Sequence, residues 1–103
     1  MLSRDERILL ENVLDGFDRL FDNKSEAIDI YSLLVATGIA LSATRFSPTF
    51  ESTTHQLETI IRSTAALDQK RDAALVVTDE LRHFIAEELE GDELANPKRR
   101  HHP

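Results

Sequence analysis

Residues 30–44 read IYSLLVATGIALSAT, the longest stretch of the chain without a charged residue. Its apolar side chains recur at spacings of three and four and populate several sides of a helix. A helix that is apolar on nearly all sides needs neighbours on nearly all sides. Fifteen residues are too few to cross a bilayer, which takes roughly 20. We therefore predict a buried helix inside a helical bundle, and no membrane span.

The composition of the chain limits the class of protein. The sequence has 103 residues, of which 41% are hydrophobic and 30% are charged, values typical of one globular domain. Cysteine is absent, which excludes disulfides, cysteine-based zinc sites and thiol chemistry. The first residues lack the apolar segment of a signal peptide. Together with the missing cysteine, this makes a reducing cytoplasm the expected compartment.

Charge is distributed unevenly along the chain. The net charge is −7, yet residues 1–97 carry nine Lys and Arg against all nineteen Asp and Glu, a balance of −10. The remaining basic residues are Lys98, Arg99 and Arg100. An acidic body repels the phosphates of nucleic acids and accelerates encounter with a basic protein. We therefore expect a basic protein as the partner, and no nucleic-acid binding.

End signals and helical spacing define the first two helices. Ser3 and Glu6 form a capping box that begins the first, which is predicted to end near residues 22–23. Its apolar face consists of Leu10, Val13, Leu14, Phe17, Leu20 and Phe21. The second helix is predicted to begin with Ser25 as its cap and to run to about residue 43.

Two further helices follow a Ser/Thr-rich connection. The third is predicted to begin at residue 48 or 52 and to end near residue 66. Its inner face is expected to consist of Leu57, Ile60, Ile61 and Thr64. The fourth is predicted to begin after Asp68 as its cap and to end at Gly91, because glycine is the common residue after a helix.

These helices predict the overall organisation. We expect an all-α protein, a four-helix up-and-down bundle-like single domain over residues 1–91, because the links between helices are short. Residues 92–103 turn polar and are interpreted as a flexible basic C-terminal tail.

Acidic residues on the first helix are the leading candidate for a binding surface. They recur at i, i+4, i+7 and i+11, which places them on one flank of the helix. Two more carboxylates continue the surface at the start of the second helix. The complete predicted set is Glu11, Asp15, Asp18, Asp22, Glu26 and Asp29. The alternative interpretation is a solvated flank, in which Arg7 pairs with Glu11 and Arg19 pairs with Asp15.

Two Glu–His pairs are the candidates for metal or catalytic chemistry. Glu80 and His83 have the Glu-x-x-His spacing used inside di-metal bundles, but a second such motif is missing and both lie opposite the apolar face. Glu51 and His55 are one turn apart without a nucleophile at a recognisable spacing. Phosphate-binding loops and nucleophile elbows are also missing. We therefore predict no enzyme, no cofactor and no metal; a metal-dependent enzyme is the least favoured alternative.

The expected function is protein binding without catalysis. In its most concrete form, the chain is an inhibitor or immunity protein that neutralises a basic toxin, such as a nuclease, by electrostatic docking. The predicted acidic set would form the contact surface. The second hypothesis is a structural or regulatory homodimer in which the apolar second helix packs across a two-fold axis.

Overall fold

The computed structural model describes residues 2–95, which form four α-helices. The helices are α1 (Arg4–Phe21), α2 (Ala27–Ala40), α3 (Ser47–Arg62) and α4 (Leu67–Ala95). The predicted all-α, four-helix architecture is confirmed. Over the described range, no helix is both long and apolar enough to cross a membrane. Residues 96–103, which hold the basic part of the predicted tail, lie outside the described residues.

The four helices pack as an up-and-down bundle. Each helix packs on the next along the chain, α4 returns to pack on α1, and α2 touches α4 across the centre. Leu2 and Arg7 at the beginning of α1 contact Asp92 near the end of α4. At the opposite end of the bundle, Arg71 of α4 donates a hydrogen bond to Asn23, just after α1. α1 and α4 are therefore antiparallel.

Local signals determine both ends of α1, as predicted. Ser3 Oγ accepts a hydrogen bond from the Glu6 amide at 3.0 Å, and Glu6 Oε1 accepts one from the Ser3 amide at 2.8 Å. This is the reciprocal capping box. Beyond the helix, Asn23 adopts the left-handed conformation with φ of 60°, which asparagine tolerates better than most residues.

The bounds predicted for α2 are wrong at both ends. The helix begins at Ala27, with Glu26 rather than Ser25 as its N-terminal cap, and ends at Ala40 rather than near residue 43. The Glu26 amide donates a hydrogen bond to Asp29 Oδ2 at 2.8 Å. A carboxylate in the first turn therefore satisfies an amide at the helix start, where we expected the Ser25 hydroxyl to act.

One chain alone does not enclose α2 on nearly all sides, and the alternative that a second copy covers part of it stays a prediction. One side is buried and consists of Ala27, Ile30, Leu34 and Thr37. On the other side Ile28 is 47% exposed and Ile39 is 71% exposed. The three other helices cover only part of its circumference, so apolar side chains of α2 remain in water.

The inner face of α3 differs from the prediction. Leu57 is buried and Ile60 and Ile61 are half-buried, but Thr64 is exposed and lies beyond the end of the helix. The buried residues nearer its start are Phe46, Phe50 and Thr53. The ring centroids of Phe46 and Phe84 are 5.7 Å apart in a tilted arrangement, which is typical of stabilising aromatic pairs.

The predicted end of α4 at Gly91 is wrong, because the helix continues to Ala95. Gly91 does not have a positive φ, so it makes no left-handed cap. Asp92 in the additional turn is buried against the start of α1. This long-range contact holds the extra turn, and the first residues of the predicted tail are helical.

The core lies where the inner faces of the four helices meet. Its largest fully buried side chains are Phe46, Phe50, Leu10, Leu20, Ile30, Leu34, Leu41, Leu57, Leu81, Ile85 and Val13. Two aromatic rings at the start of α3, Phe46 and Phe50, are the largest of these side chains. This core fixes the orientation of α1, whose outer flank carries the predicted binding residues.

Candidate protein-binding surface

The acidic stripe of α1, defined as Glu11, Asp15, Asp18 and Asp22, is exposed along its whole length. Glu11, Asp15 and Asp18 line a shallow groove between α1 and α4, together with Ile8 and Leu89. Towards the other end of the bundle, Asp18 lines a second depression between the same two helices. Glu11, Asp15 and Asp18 therefore form one wall of a depression that we call the α1–α4 groove, and Asp22 follows them just after the end of α1.

Three carboxylates of the acidic stripe have no cationic partner among residues 2–95. Arg7 Nη1 lies 3.5 Å from Glu11 Oε2, which is the pair predicted for this position. The second predicted pair, between Arg19 and Asp15, does not form. Across residues 2–95, no ion pair involves Asp15, Asp18 or Asp22. Their uncompensated charges create a negative potential along one side of the bundle.

An aromatic ring stands beside these carboxylates. Phe21 is 75% exposed and lines the α1–α4 groove with Phe17, Asp18 and Leu75. The sequence analysis assigned Phe21 to the buried apolar face, and this assignment is wrong. Exposed aromatic residues near the centre of a surface patch are typical anchors of protein interfaces. The signal available in the sequence was its position at the last residue of α1, directly before the polar residues Asp22, Asn23 and Lys24.

The α4 wall of the groove is polar but largely compensated. Arg82 Nη2 donates a hydrogen bond to Asp79 Oδ1 at 2.8 Å, and His83 Nδ1 lies 3.4 Å from Asp79 Oδ2. The hydrogen bond from Arg82 holds the pKa of the Asp79 carboxyl below its usual value, and the charges of His83 and Arg82 act in the same direction. The excess of negative charge at the groove therefore comes from α1.

Glu26 and Asp29 lie apart from the α1–α4 groove. Both are exposed and line a depression at the end of the bundle, formed by residues 23–26 and the start of α4. Asp29 accepts the hydrogen bond from the Glu26 amide, and Arg71 is among the residues that line the depression. The structure therefore divides the six predicted residues into the acidic stripe and a separate pair that helps to begin α2.

The Glu–His pairs do not form an enclosed site. Glu80 and His83 are exposed on α4, as their position opposite the apolar face predicts, and His83 contacts Asp79. His55 and Glu51 are exposed on α3. Within the part of the chain that the structure describes, no group of three or more His, Asp or Glu is arranged to hold a metal ion.

No protein-family model matches the chain, and neither does any curated protein or solved structure with which it was compared. The chemistry of the described surface is therefore the basis for a function. The α1–α4 groove combines uncompensated carboxylates with an exposed aromatic ring. Carboxylates bind Arg and Lys through charge-assisted hydrogen bonds, and the ring adds apolar contact area.

Proposed function

We propose that the chain binds another protein and that the acidic stripe of α1 docks on a basic surface of that partner. The observation that carries the proposal is the set of three exposed carboxylates, Asp15, Asp18 and Asp22, which form no ion pair within residues 2–95 and lie beside the exposed ring of Phe21. In its most concrete form, the chain is an inhibitor or immunity protein that neutralises a basic toxin, such as a nuclease. Nuclease surfaces that hold phosphates carry Lys and Arg, and a row of carboxylates occupies them by charge complementarity.

Charge and aromatic contact would contribute to different steps of binding. The potential of the acidic stripe reaches about 10 Å into solution at 0.1 M salt, so it raises the rate of encounter with a basic partner. Once the two surfaces meet, burial of Phe21 lengthens the lifetime of the complex, because desolvated aromatic anchors dominate interface energetics. While the chain occupies the basic surface of a nuclease, that surface could not bind the phosphate backbone of a nucleic acid.

The bundle presents the acidic stripe on a rigid support. α1 begins at a capping box, and its inner residues Leu10, Val13, Phe17 and Leu20 are buried. Its first turns are also tied to α4 through Asp92. A surface that is already ordered loses little conformational entropy when it binds, so more of the interaction energy appears as affinity.

Affinity capture from a native lysate with three forms of the protein tests the proposal. The first form is the wild type. The second carries Asp15→Asn, Asp18→Asn and Asp22→Asn. The control carries Glu80→Gln, Glu87→Gln and Glu90→Gln, which remove the same charge from exposed α4 positions that form no ion pair within residues 2–95.

We expect the wild type and the control to retain a basic protein from the lysate. The α1 variant should not retain this protein. If that protein is a toxin, the wild type and the control inhibit its activity, and the α1 variant does not. Equal retention by all three forms contradicts the proposal, and so does a captured set that contains no basic protein.

A further inference from the structure

α2 carries an exposed apolar surface that the fold leaves uncovered. We call this surface the α2 face; its exposed members are Ser32, Ala36, Ile39 and Ala40, with Ala43 shortly after the helix, and the exposed Asp29 lies on the same side towards the helix start. Ile39 is 71% exposed, whereas Leu34 on the opposite side of the helix is fully buried. No charged residue occurs in residues 30–44. An exposed apolar surface of this kind is typical of an interface rather than of a solvated flank.

An apolar groove runs beside the α2 face. Val35, Gly38 and Ile39 of α2 and Phe50 and Thr54 of α3 are among the residues that line it. A Cβ atom at residue 38 would lie 3.5 Å from Phe50 Cβ, so the two helices approach closely where glycine has no side chain. The exposed side chain of Ile39 thus projects at the edge of this groove.

The charge of the chain indicates which partner fits the α2 face. A chain with a net charge of −7 repels its own copies wherever carboxylates face each other. Around Ile39 the α2 face contributes no charge to such a contact; the nearest carboxylates are Asp29, towards the start of α2, and Glu51, which lines the adjoining groove. A basic partner would find these two carboxylates only at the edges of the α2 face, and none around Ile39.

Two-fold symmetry adds a second requirement that the α2 face meets. In a symmetric dimer the same patch contacts itself, so a projection and a matching recess must occur on one surface. Ile39 and the groove beside it provide both. The small side chains of Ala36 and Ala40 let two helices approach to about 8–10 Å. We propose that a second copy of this chain covers the α2 face, with Ile39 of each protomer in the α2–α3 groove of the other.

This interface is independent of the proposed acidic docking surface. The α2–α3 side of the bundle lies opposite the α1–α4 side, because the helices neighbour one another in chain order and α4 returns to α1. A dimer through α2 therefore leaves the acidic stripe of each protomer accessible. Loss of one surface by substitution should leave the other intact.

Sedimentation velocity with three forms of the protein, between about 5 and 200 µM, tests the inference. The wild type is expected to sediment as a dimer at the upper concentrations. Ile39→Glu is expected to remain a monomer at every concentration, because it places two carboxylates in the apolar contact. Val76→Glu makes the same change at a side chain that is 75% exposed on α4, and it should dimerise like the wild type.

A wild type that remains monomeric throughout the range overturns the inference, as does an Ile39→Glu variant that dimerises as well as the wild type. Circular dichroism of each variant checks that the helices are retained.

Site-directed crosslinking adds a readout that a folding defect cannot imitate. The natural chain has no cysteine, so one introduced cysteine is the only thiol. Ala36→Cys is expected to form a disulfide-linked dimer rapidly under a mild oxidant, because a disulfide needs Cα atoms within about 7 Å. Ala86→Cys, exposed on α4, is the control and should crosslink slowly. Equal crosslinking rates of the two variants would overturn the inference.

Discussion

Arg7 and Asp92, 85 residues apart in the sequence, form an ion pair in which Arg7 Nη2 lies 2.8 Å from Asp92 Oδ2. The Arg7 side chain is 15% exposed and the Asp92 side chain 2% exposed. Asp92 Oδ1 also accepts a hydrogen bond from the Leu2 amide at 2.9 Å. The hydrogen bond to Asp92 raises the pKa of Arg7, against the opposing effect of burial. One carboxylate of α4 thus holds the beginning of the helix that carries the acidic stripe.

Removal of this carboxylate should destabilise the bundle. We expect Asp92→Ala to lower the free energy of unfolding by about 2 kcal/mol, because it removes the closest anion of the largely buried Arg7 and the acceptor of the Leu2 amide, and leaves Arg7 only the longer contacts with Glu11 and Glu93. Arg7→Met combined with Asp92→Leu should cost less than the sum of the two single changes. Urea denaturation of the wild type, Asp92→Ala, the two single variants Arg7→Met and Asp92→Leu, and their combination measures both effects. A loss below about 0.5 kcal/mol for Asp92→Ala, the range of ordinary surface changes, would contradict the assigned role.

Two of the three helical glycines should respond oppositely to a larger side chain. Gly91→Ala is expected to raise the free energy of unfolding by about 1 kcal/mol, because alanine favours a helix and no atom lies within 4 Å of its Cβ position. Gly16→Val should lower it by about 1–3 kcal/mol, because a Cβ there would meet Leu33 Cδ2 at 2.5 Å and Ile30 Cδ1 at 3.1 Å. Thermal unfolding followed by circular dichroism compares the two. A destabilising Gly91→Ala would show that α4 ends at residue 91 after all.

The acidic stripe should lower the free energy of unfolding of the bundle. Asp18 and Asp22 repel each other one turn apart, and both lie near the negative end of the α1 dipole. Asp18→Asn with Asp22→Asn should therefore raise the free energy of unfolding by about 0.5 kcal/mol at low ionic strength. The gain should shrink as salt is added, since salt screens exposed charges. Urea denaturation at two salt concentrations checks this, and a variant less stable than the wild type would be inconsistent with it.

Asp79 provides a prediction about pH. Its folded-state pKa is lowered from 3.8, chiefly by the hydrogen bond from Arg82. A lowered pKa means that its contribution to stability is present above pH 3.8 and is lost as the pH falls through the folded-state value. NMR titration of the Asp79 carboxyl should give a midpoint below 3.8, and Arg82→Gln should return it towards that value. An unchanged midpoint in Arg82→Gln would exclude Arg82 as the cause.

Features governed by residues close in sequence were predictable. The capping box of Ser3 and Glu6 is local, so the beginning of α1 was predicted correctly, and the spacing of Asp15 and Asp18 was enough to place both on one exposed flank. The four-helix order follows from short links between amphipathic segments. In each of these cases the decisive interaction lies within one or two helical turns.

Features that depend on distant contacts were not predictable. The last turn of α4 is held by Asp92, whose partners Leu2 and Arg7 lie at the other end of the chain. The hydrophobic pattern of α2 predicts that its side chains pack against other helices, but it does not indicate how much of α2 the other helices of the chain cover. The exposure of Ile39 was therefore not predicted. Phe21 has a helical position typical of the core, yet its ring lies in the open depression between α1 and α4 and is 75% exposed.

The salt dependence of the association rate tests the central claim most directly. The rate is measured between the captured basic partner and two forms of the chain, the wild type and the variant that carries Asp15→Asn, Asp18→Asn and Asp22→Asn. The account predicts that the wild-type rate constant falls about tenfold or more between low and physiological salt, because electrostatic steering is screened. It also predicts a slower and nearly salt-independent rate for the variant. Equal rates with equal salt dependence would contradict the claim that the acidic stripe of α1 is the docking surface.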